Sequence, residues 1–323
     1  MPRHHHIFEK IIGQAEDKPP ATVAVVHPLS EVALTGAVEA AQEKLIVPLL
    51  IGPETEIKAL AKSTKLEIEP YQIVNVDSDV EAAAKGVELC RTGKAGALMK
   101  GSLHTDHFMH AAMDDDLGLR THRRISHVFV LDVPSYPHTL LITDAAVNIY
   151  PTLVDKADIV QNAIDLAKVI GIETPKVAIL SAVETVTPSI KSTIDAAALC
   201  KMADRGQITG GVLDGPLAFD NAVNLKAAEI KHIHSPVAGR ADILVVPDLE
   251  AGNMLAKQLE YLADAEAAGI VLGARVPIIL TSRADSAKSR LASCAVAALL
   301  AHSGITGKAQ ASSDPAVAEH PVR

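Results

Sequence analysis

The chain has 323 residues, a formal net charge of −9 at pH 7, no Trp and only 2% aromatic residues. The negative charge argues against general affinity for the phosphate backbone of nucleic acids, and the scarcity of aromatic rings argues against base stacking. No apolar run approaches the roughly 18 residues of a membrane span, and residues 1–10 lack the apolar core of a signal peptide. We therefore expect neither nucleic acid nor a membrane as a partner. Cys90, Cys200 and Cys294 form no C-x-x-C pair and fit a reducing cytoplasm.

Short apolar runs alternate with amphipathic stretches in the first hundred residues, which predicts a parallel sheet with right-handed helical crossovers. The predicted strands are 22–28, 46–53, 71–76 and 95–101, and the predicted helices are 30–44, 54–63 and 78–94. Two further runs, 127–134 and 138–144, are joined by a three-residue turn, so we expect an antiparallel excursion there.

The same alternation restarts after residue 155. The predicted helices are 157–172, 189–206, 252–264 and 286–303, and the predicted strands are 176–182, 208–219, 241–248, 267–273 and 276–280. The last strand and helix resemble the material of the first half, so we expect the chain to return there. We predict an α/β protein with a first domain of residues 1–145 plus 275–323 and a second of residues 146–274.

In open α/β sheets, ligands bind outside the carboxyl ends of the strands. Polar residues follow several predicted strands, namely Lys100 with Ser102, His104 and Thr105, Asp144 after Thr143, Asp214, Asp248, and Ser282 with Arg283. At Ser282 the next helix begins at once, and free N–H groups, a hydroxyl and a guanidinium together can hold an anion. The simpler alternative is that Ser282 or Asp285 caps the helix while Arg283 is solvated.

A basic stretch, LRTHRRISH (119–127), precedes another predicted strand and contains Arg124 and His127. In an acidic protein it is a candidate phosphate contact, although a solvated charge run is an equal alternative. His104, His107 and His110 are spaced three residues apart, but no paired carboxylate or thiolate completes a ligand set, so we predict no metal site. The sequence has no G-x-G-x-x-G, no phosphate-binding P-loop and no G-x-S-x-G motif.

Six segments, in this order, resemble the phosphate acetyl/butyryltransferase family. They are KGSLHTD (100–106), GLRTHRRISHVFV (118–130), ITDAAVNIYPTL (142–153), LDGPLAFDNAV (213–223), VPDLEAGNM (246–254) and LTSRADSAKS (280–289). The resemblance implies transfer of an acyl group between coenzyme A and phosphate. It also implies two three-layer α/β/α domains, like those of isocitrate and isopropylmalate dehydrogenases, with the site in the cleft between them, and usually a homodimer.

The resemblance also implies that Ser282 and Arg283 belong to the site, where coenzyme A is a substrate and no cofactor is bound. Acetyl-type members have a loop similar to SRGxSxxDI, whose Asp is thought to deprotonate the coenzyme A thiol. Ser289 stands at that position here, so the resemblance does not identify the general base. We predict that Asp285, on the same loop, takes this role. The SRADS sequence, with Ser286, is nearer the butyryl-type loop, which leaves the acyl preference open.

Each of four further motif residues either lines the cleft or fixes a loop through side-chain hydrogen bonds to the backbone. They are Asp144, Asn148, Asp214 and Asn253. Cys294 lies within the last predicted helix, on its packed side, so we expect direct transfer in a ternary complex rather than a covalent enzyme intermediate. Two alternatives to the transferase are a metal- and NAD(P)-dependent oxidoreductase on the same fold and a non-catalytic homologue that has lost its base.

Overall fold

The strands of the protein form a single twisted sheet in the computed structural model, which describes residues 6–280 and 285–304. They are β1 (Ala21–Val26), β2 (Ile46–Gly52), β3 (Ile73–Asn75), β4 (Ala97–Lys100), β5 (Ser126–Asp132), β6 (Leu140–Thr143), β7 (Lys176–Leu180), β8 (Val212–Leu217), β9 (Ile243–Val245), β10 (Glu266–Leu272) and β11 (Ile278–Ile279). Within the described residues their order is β3-β2-β1-β4-β11-β10-β5-β6-β9-β7-β8.

The sheet consists of two parallel blocks joined by antiparallel strands. Strands β3, β2, β1, β4 and β11 are parallel to one another and form one block, and β6, β9, β7 and β8 are parallel to one another and form the second block. Strand β10 is antiparallel to both β11 and β5, and β5 is antiparallel to β6. The α/β fold and the antiparallel excursion predicted from the sequence are confirmed.

Helices cover both faces of this sheet. They are α1 (Ile7–Glu16), α2 (Glu31–Gln42), α3 (Glu54–Thr64), α4 (Asp79–Arg91), α5 (Thr105–Ala112), α6 (Leu153–Val169), α7 (Lys191–Asp204), α8 (Phe219–Val223), α9 (Leu225–Ile230), α10 (Leu249–Leu262) and α11 (Ala287–Ser303). Strand β11 pairs in parallel with β4, and α11 packs on α1 and α2, so the last strand and helix do return to the first half. Among the described residues, none of these helices is both long and apolar enough to cross a membrane.

The core is continuous on one face of the sheet and divided on the other. On the first face one cluster joins both parallel blocks and includes Val25, Met99, Val128 and Ile179; we call it the continuous core. On the opposite face the buried side chains form two separate clusters. The first contains Leu98 and Val271, and we call it the amino-half cluster; the second contains Leu131, Ile142 and Leu244, and we call it the carboxy-half cluster. Side chains alternate between the faces of a strand, so β5 contributes to both sides.

Several helices differ from the sequence prediction, and α5 was not among the predicted helices. Helix α1 was not predicted, and its residues Ile7, Phe8, Ile11 and Ala15 are buried against the continuous core. The short helices α8 and α9 were also missed, because six residues or fewer give no clear periodicity. Helix α10 begins three residues earlier than predicted, since Asp248 caps it by accepting a 2.9 Å hydrogen bond from the N–H of Ala251.

Candidate active site

Predicted site residues of the first half follow β4, next to the end of β1. Lys100 is the last residue of β4 and is half-buried. The Gly101 N–H donates to Val26 O at 2.8 Å, and the Ser102 hydroxyl donates to His27 O at 2.8 Å and accepts from the Leu29 N–H at 3.1 Å. A Cβ on Gly101 would lie 2.3 Å from Val26 O, so only glycine allows this approach. Ser102 therefore fixes the loop after β1.

His104 and Thr105 lie at the start of α5 and are exposed. The His104 ring meets the His107 ring edge to face, with centroids 5.9 Å apart. His107 Nδ1 lies 3.1 Å from Asp79 Oδ2, and this hydrogen bond lowers the pKa of Asp79 from its usual value. Thus His104 and Thr105 stand at the same carboxyl edge as Lys100, but with their side chains toward solvent.

The loop after β6 is organised around the buried carboxylate of Asp144. Asp144 Oδ1 accepts hydrogen bonds from the N–H groups of Ala146 and Val147 at 2.9 and 3.0 Å. Its Oδ2 accepts from the N–H of Asn148 at 3.2 Å and from Asn148 Nδ2 at 2.5 Å. All four donors lie within four residues of Asp144 in the chain. These contacts correspond to the loop-fixing alternative.

Asn148 and Arg124 extend this arrangement to the segment before β5. Asn148 is buried; its Nδ2 also donates to Ile125 O at 2.9 Å, and its Oδ1 accepts from Arg124 Nε at 2.6 Å. The Arg124 side chain is 50% exposed and lies 3.6 Å from Asp155 Oδ1 on α6. Asn253, on α10, donates from Nδ2 to Ala145 O at 3.2 Å. The structure therefore brings Arg124, Asp144, Asn148 and Asn253 together.

Asp214 does not join this group. It lies on β8, at the edge of the sheet, and β9 and β7 separate that strand from β6. Asp214 Oδ1 accepts from the Gly215 N–H at 2.9 Å. The thiol of Cys200 is nearby, where burial and then the Asp214 charge raise its pKa to about 12.

The start of α11 carries the remaining predicted residues. Ser282 and Arg283 lie outside the described residues. Ser286 caps the helix, with its Oγ accepting from the Ser289 N–H at 3.0 Å. Asp285 is half-exposed, and its carbonyl oxygen accepts a 2.7 Å hydrogen bond from Arg290 NH1.

Ser289, at the position of the acetyl-type Asp, is buried, and its Oγ accepts from Ser286 Oγ at 3.1 Å. Cys294 is fully buried, as expected, and burial raises its pKa to about 12. A thiol protonated over the neutral range is a poor nucleophile. Neither side chain is therefore placed to serve as a proton acceptor or a covalent nucleophile.

The other arginines of the basic stretch are paired with acids. Arg120 NH1 lies 2.7 Å from Asp115 Oδ1, and Arg123 NH1 lies 2.6 Å from Asp165 Oδ2. His127, at the end of the stretch, is buried. Within the described ranges, no group of three or more His, Cys, Asp or Glu residues is arranged to hold a metal ion.

One residue of this edge was missed in the sequence. His27 directly follows β1, has a positive φ of 52°, and places its Nδ1 3.5 Å from Ser102 Oγ. The reasoning that selected Lys100, a polar residue immediately after a buried strand, applies equally to His27.

Comparisons with known proteins show which family the chain resembles. A family model described as "Phosphate acetyl/butaryl transferase" matches residues 78–298. A phosphate acetyltransferase of Rhizobium meliloti is 62% identical over 294 residues, which cover 91% of this chain and 93% of the relative. A phosphate butyryltransferase of Clostridium acetobutylicum is 42% identical over 294 residues, which cover 91% of this chain and 98% of the relative.

Among solved structures, a branched-chain phosphotransacylase from Enterococcus faecalis V583 has a TM-score of 0.77 and 30% identity, covering 87% of this chain and 99% of that chain. Its fold confirms the dehydrogenase-like α/β architecture expected from the resemblance. The chain belongs to the phosphate acetyl/butyryltransferase family. This membership favours the transferase over the oxidoreductase alternative.

Proposed function

We propose that the protein is a phosphate acyltransferase that moves an acyl group between coenzyme A and inorganic phosphate. The observation that carries the proposal is the 62% identity to a phosphate acetyltransferase over 91% of the chain. A phosphate oxygen attacks the carbonyl carbon of the acyl thioester. The new C–O bond forms as the C–S bond breaks, and coenzyme A leaves as a thiolate that takes up a proton.

Two described cations, Arg124 and Lys100, are the proposed charge partners of phosphate. Arg124 has a half-exposed guanidinium whose Nε is held by Asn148, so its remaining donors can bind two phosphate oxygens. Lys100, the last residue of β4, is the second cation of the proposal. Arg283 and Ser282 complete this set in the proposal, on the strength of the family resemblance alone.

Asp285 is the proposed proton acceptor for the coenzyme A thiol when acyl phosphate is the acyl donor. A thiol of ordinary pKa, near 8.5, is mostly protonated at pH 7 and needs such a base. Asp285 is half-exposed, immediately before the cap of α11, and Arg290 holds its carbonyl oxygen. We propose direct transfer, with both substrates bound at once.

Two further features belong to the proposal. The resemblance supports two domains and a homodimer, the alternation of elements supports boundaries at residues 1–145 with 275–323 and 146–274, and the three scattered cysteines support a cytoplasmic location. Exposed apolar side chains near the starts of α6 and α10 offer a surface for self-association: Ile149, Tyr150, Val154 and Met254. Light scattering should give the mass of two chains, and Tyr150→Glu should shift it toward one.

The test is release of coenzyme A from acetyl-CoA and from butyryl-CoA, with and without phosphate. Release that depends on phosphate supports the transferase, and the ratio of the two rates gives the acyl preference. A folded protein that releases no coenzyme A from either substrate would contradict the proposal and support the non-catalytic alternative.

A further inference from the structure

His127 lies where the two clusters of the divided face meet. It is 2% exposed and is paired in register with Val271 of the amino-half cluster. Its ring contacts the edge of the Phe129 ring, with centroids 4.4 Å apart, and Phe129 packs on the carboxy-half cluster. The backbone is held by Thr143, whose hydroxyl donates to His127 O at 2.9 Å. A polar ring therefore occupies the point where the core of this face is interrupted.

This imidazole is uncharged at neutral pH. Burial lowers its pKa to about 4, although the nearby Asp144 carboxylate acts in the opposite direction. A neutral imidazole carries one N–H donor and one acceptor nitrogen.

The surroundings decide which nitrogen carries the proton. Nδ1 is buried and has no hydrogen-bond partner among the described residues. Buried N–H groups without a partner are rarer in proteins than buried acceptors without one, because the orphaned donor costs more. Nδ1 is therefore the bare acceptor and Nε2 carries the hydrogen.

The Nε2 edge of the ring lies against Gly269, which also lies close to the carbonyl oxygen of Leu280, the residue after β11. A Cβ built on Gly269 would lie 2.9 Å from His127 Nε2 and 3.5 Å from Leu280 O. Any larger residue at 269 would displace the ring, so the glycine gives it room. Leu280 lies two residues before Ser282, the first residue of the SRADS sequence of the proposed site.

We propose that His127 is a further catalytic residue, donating a hydrogen bond from Nε2 to the carbonyl oxygen of the acyl group. The inference rests on the proposed acyl transfer. An uncharged donor among apolar side chains suits an oxygen that is neutral in the thioester and gains negative charge in the tetrahedral state. Phosphate, which is charged throughout, is matched instead by Arg124 and Lys100.

The test compares His127→Gln with His127→Leu in the complete protein, using phosphate-dependent coenzyme A release. Leucine fills the space without a donor, and we expect kcat to fall by about 10²–10³-fold, as when an oxyanion donor is removed. Glutamine places an amide N–H near the position of Nε2, so we expect kcat within about tenfold of the wild type. Removing a buried group with an unpaired atom is neutral or stabilising, so the melting temperature of His127→Leu should not fall.

His127→Asn provides a second comparison if the leucine variant does not fold. Asparagine places its amide near the position of Nδ1 and not of Nε2, so we expect its kcat to fall by about 10²–10³-fold as well. Gln14→Met is the matched control. Gln14 Oε1 is also buried without a described partner, but it lies on α1, away from the strand ends; its kcat should match the wild type.

A wild-type kcat in His127→Leu, or an equal loss in His127→Gln and His127→Asn at unchanged melting temperature, would overturn the role of His127. A wild-type protein without phosphate-dependent release would instead overturn the proposed function.

Discussion

Arg124 and Asn148 are joined by a 2.6 Å hydrogen bond from Arg124 Nε to Asn148 Oδ1. The Asn148 amide also donates to Asp144 Oδ2 and to Ile125 O, so one buried side chain connects the loop after β6 with the segment before β5. This connection fixes the direction of the Arg124 guanidinium, on a side chain that is 50% exposed and whose NH1 lies 3.6 Å from Asp155 Oδ1. The positive charge that we propose for phosphate binding is therefore positioned by the buried amide of Asn148.

Replacing Asn148 by alanine should destabilise the protein strongly. The change leaves the Asp144 carboxylate and the Ile125 carbonyl short of donors in a buried place, and each such loss costs about 1–3 kcal/mol. We expect the free energy of unfolding to fall by roughly 2–4 kcal/mol in urea titrations. A fall below about 0.5 kcal/mol, within the range of ordinary surface substitutions, would show that the connection is not needed.

Arg124→Lys should weaken phosphate binding while preserving the fold. Lysine keeps the charge but loses the planar fork that binds two oxygens and the bond to Asn148. We expect KM for phosphate to rise about tenfold or more, which corresponds to roughly 1.4 kcal/mol, with little change in KM for acetyl-CoA. Arg120→Lys is the control, because Arg120 pairs with Asp115 at the surface. Equal phosphate KM values for the two variants would contradict the role of Arg124.

Asp285→Asn and Ser289→Ala together test the identity of the base. Since Ser289 is buried and bonded to Ser286, its alanine variant should keep kcat within about twofold, with only a small loss of helix stability. If Asp285 takes the thiol proton, Asp285→Asn should lower kcat for coenzyme A acylation by about 10²-fold or more. The opposite ranking of the two variants would move the base to position 289.

The stability of the folded protein should depend on pH through His127. Burial lowers its folded pKa to about 4, below the ordinary value of 6.5, so between these values only the unfolded chain binds the proton. The free energy of unfolding therefore falls as the pH drops from 6.5 toward 4, by roughly 3 kcal/mol in total, and this contribution is constant above 6.5. His127→Gln lacks the titrating group. As the pH drops from 6.5 to 4, the urea midpoint of His127→Gln should therefore decline less than that of the wild type. Equal declines in the two proteins would contradict a buried neutral imidazole at position 127.

The sequence predicted the fold better than the site. Strands such as β1 and β4 are continuous apolar runs because both faces are buried, and they were found by that property. The return of β11 to β4 was expected from its resemblance to the first half. Helix α1 was missed because its burial depends on α11, nearly three hundred residues away in the chain.

The candidate site residues were found in the sequence because they are polar and follow predicted strands. Their contacts could not be predicted in this way. Asp144 was selected from its position after a strand, and its four local hydrogen-bond donors are seen only in the structure. Asp214 follows the same pattern and lies at the far edge of the sheet, because strand order cannot be read from the chain order. The neutral state of His127 depends on burial between β10 and β6, which no local pattern encodes.

Transfer of the acyl group to phosphate is the central claim, and trapping of the product tests it most directly. The protein would be incubated with acetyl-CoA and phosphate, and acyl phosphate would be captured with hydroxylamine while released thiol is measured in parallel. The account predicts one acyl hydroxamate for each coenzyme A released, and without phosphate only the direct reaction of the thioester with hydroxylamine that also occurs in the absence of protein. Coenzyme A released together with free acetate, and no trapped product, would contradict it.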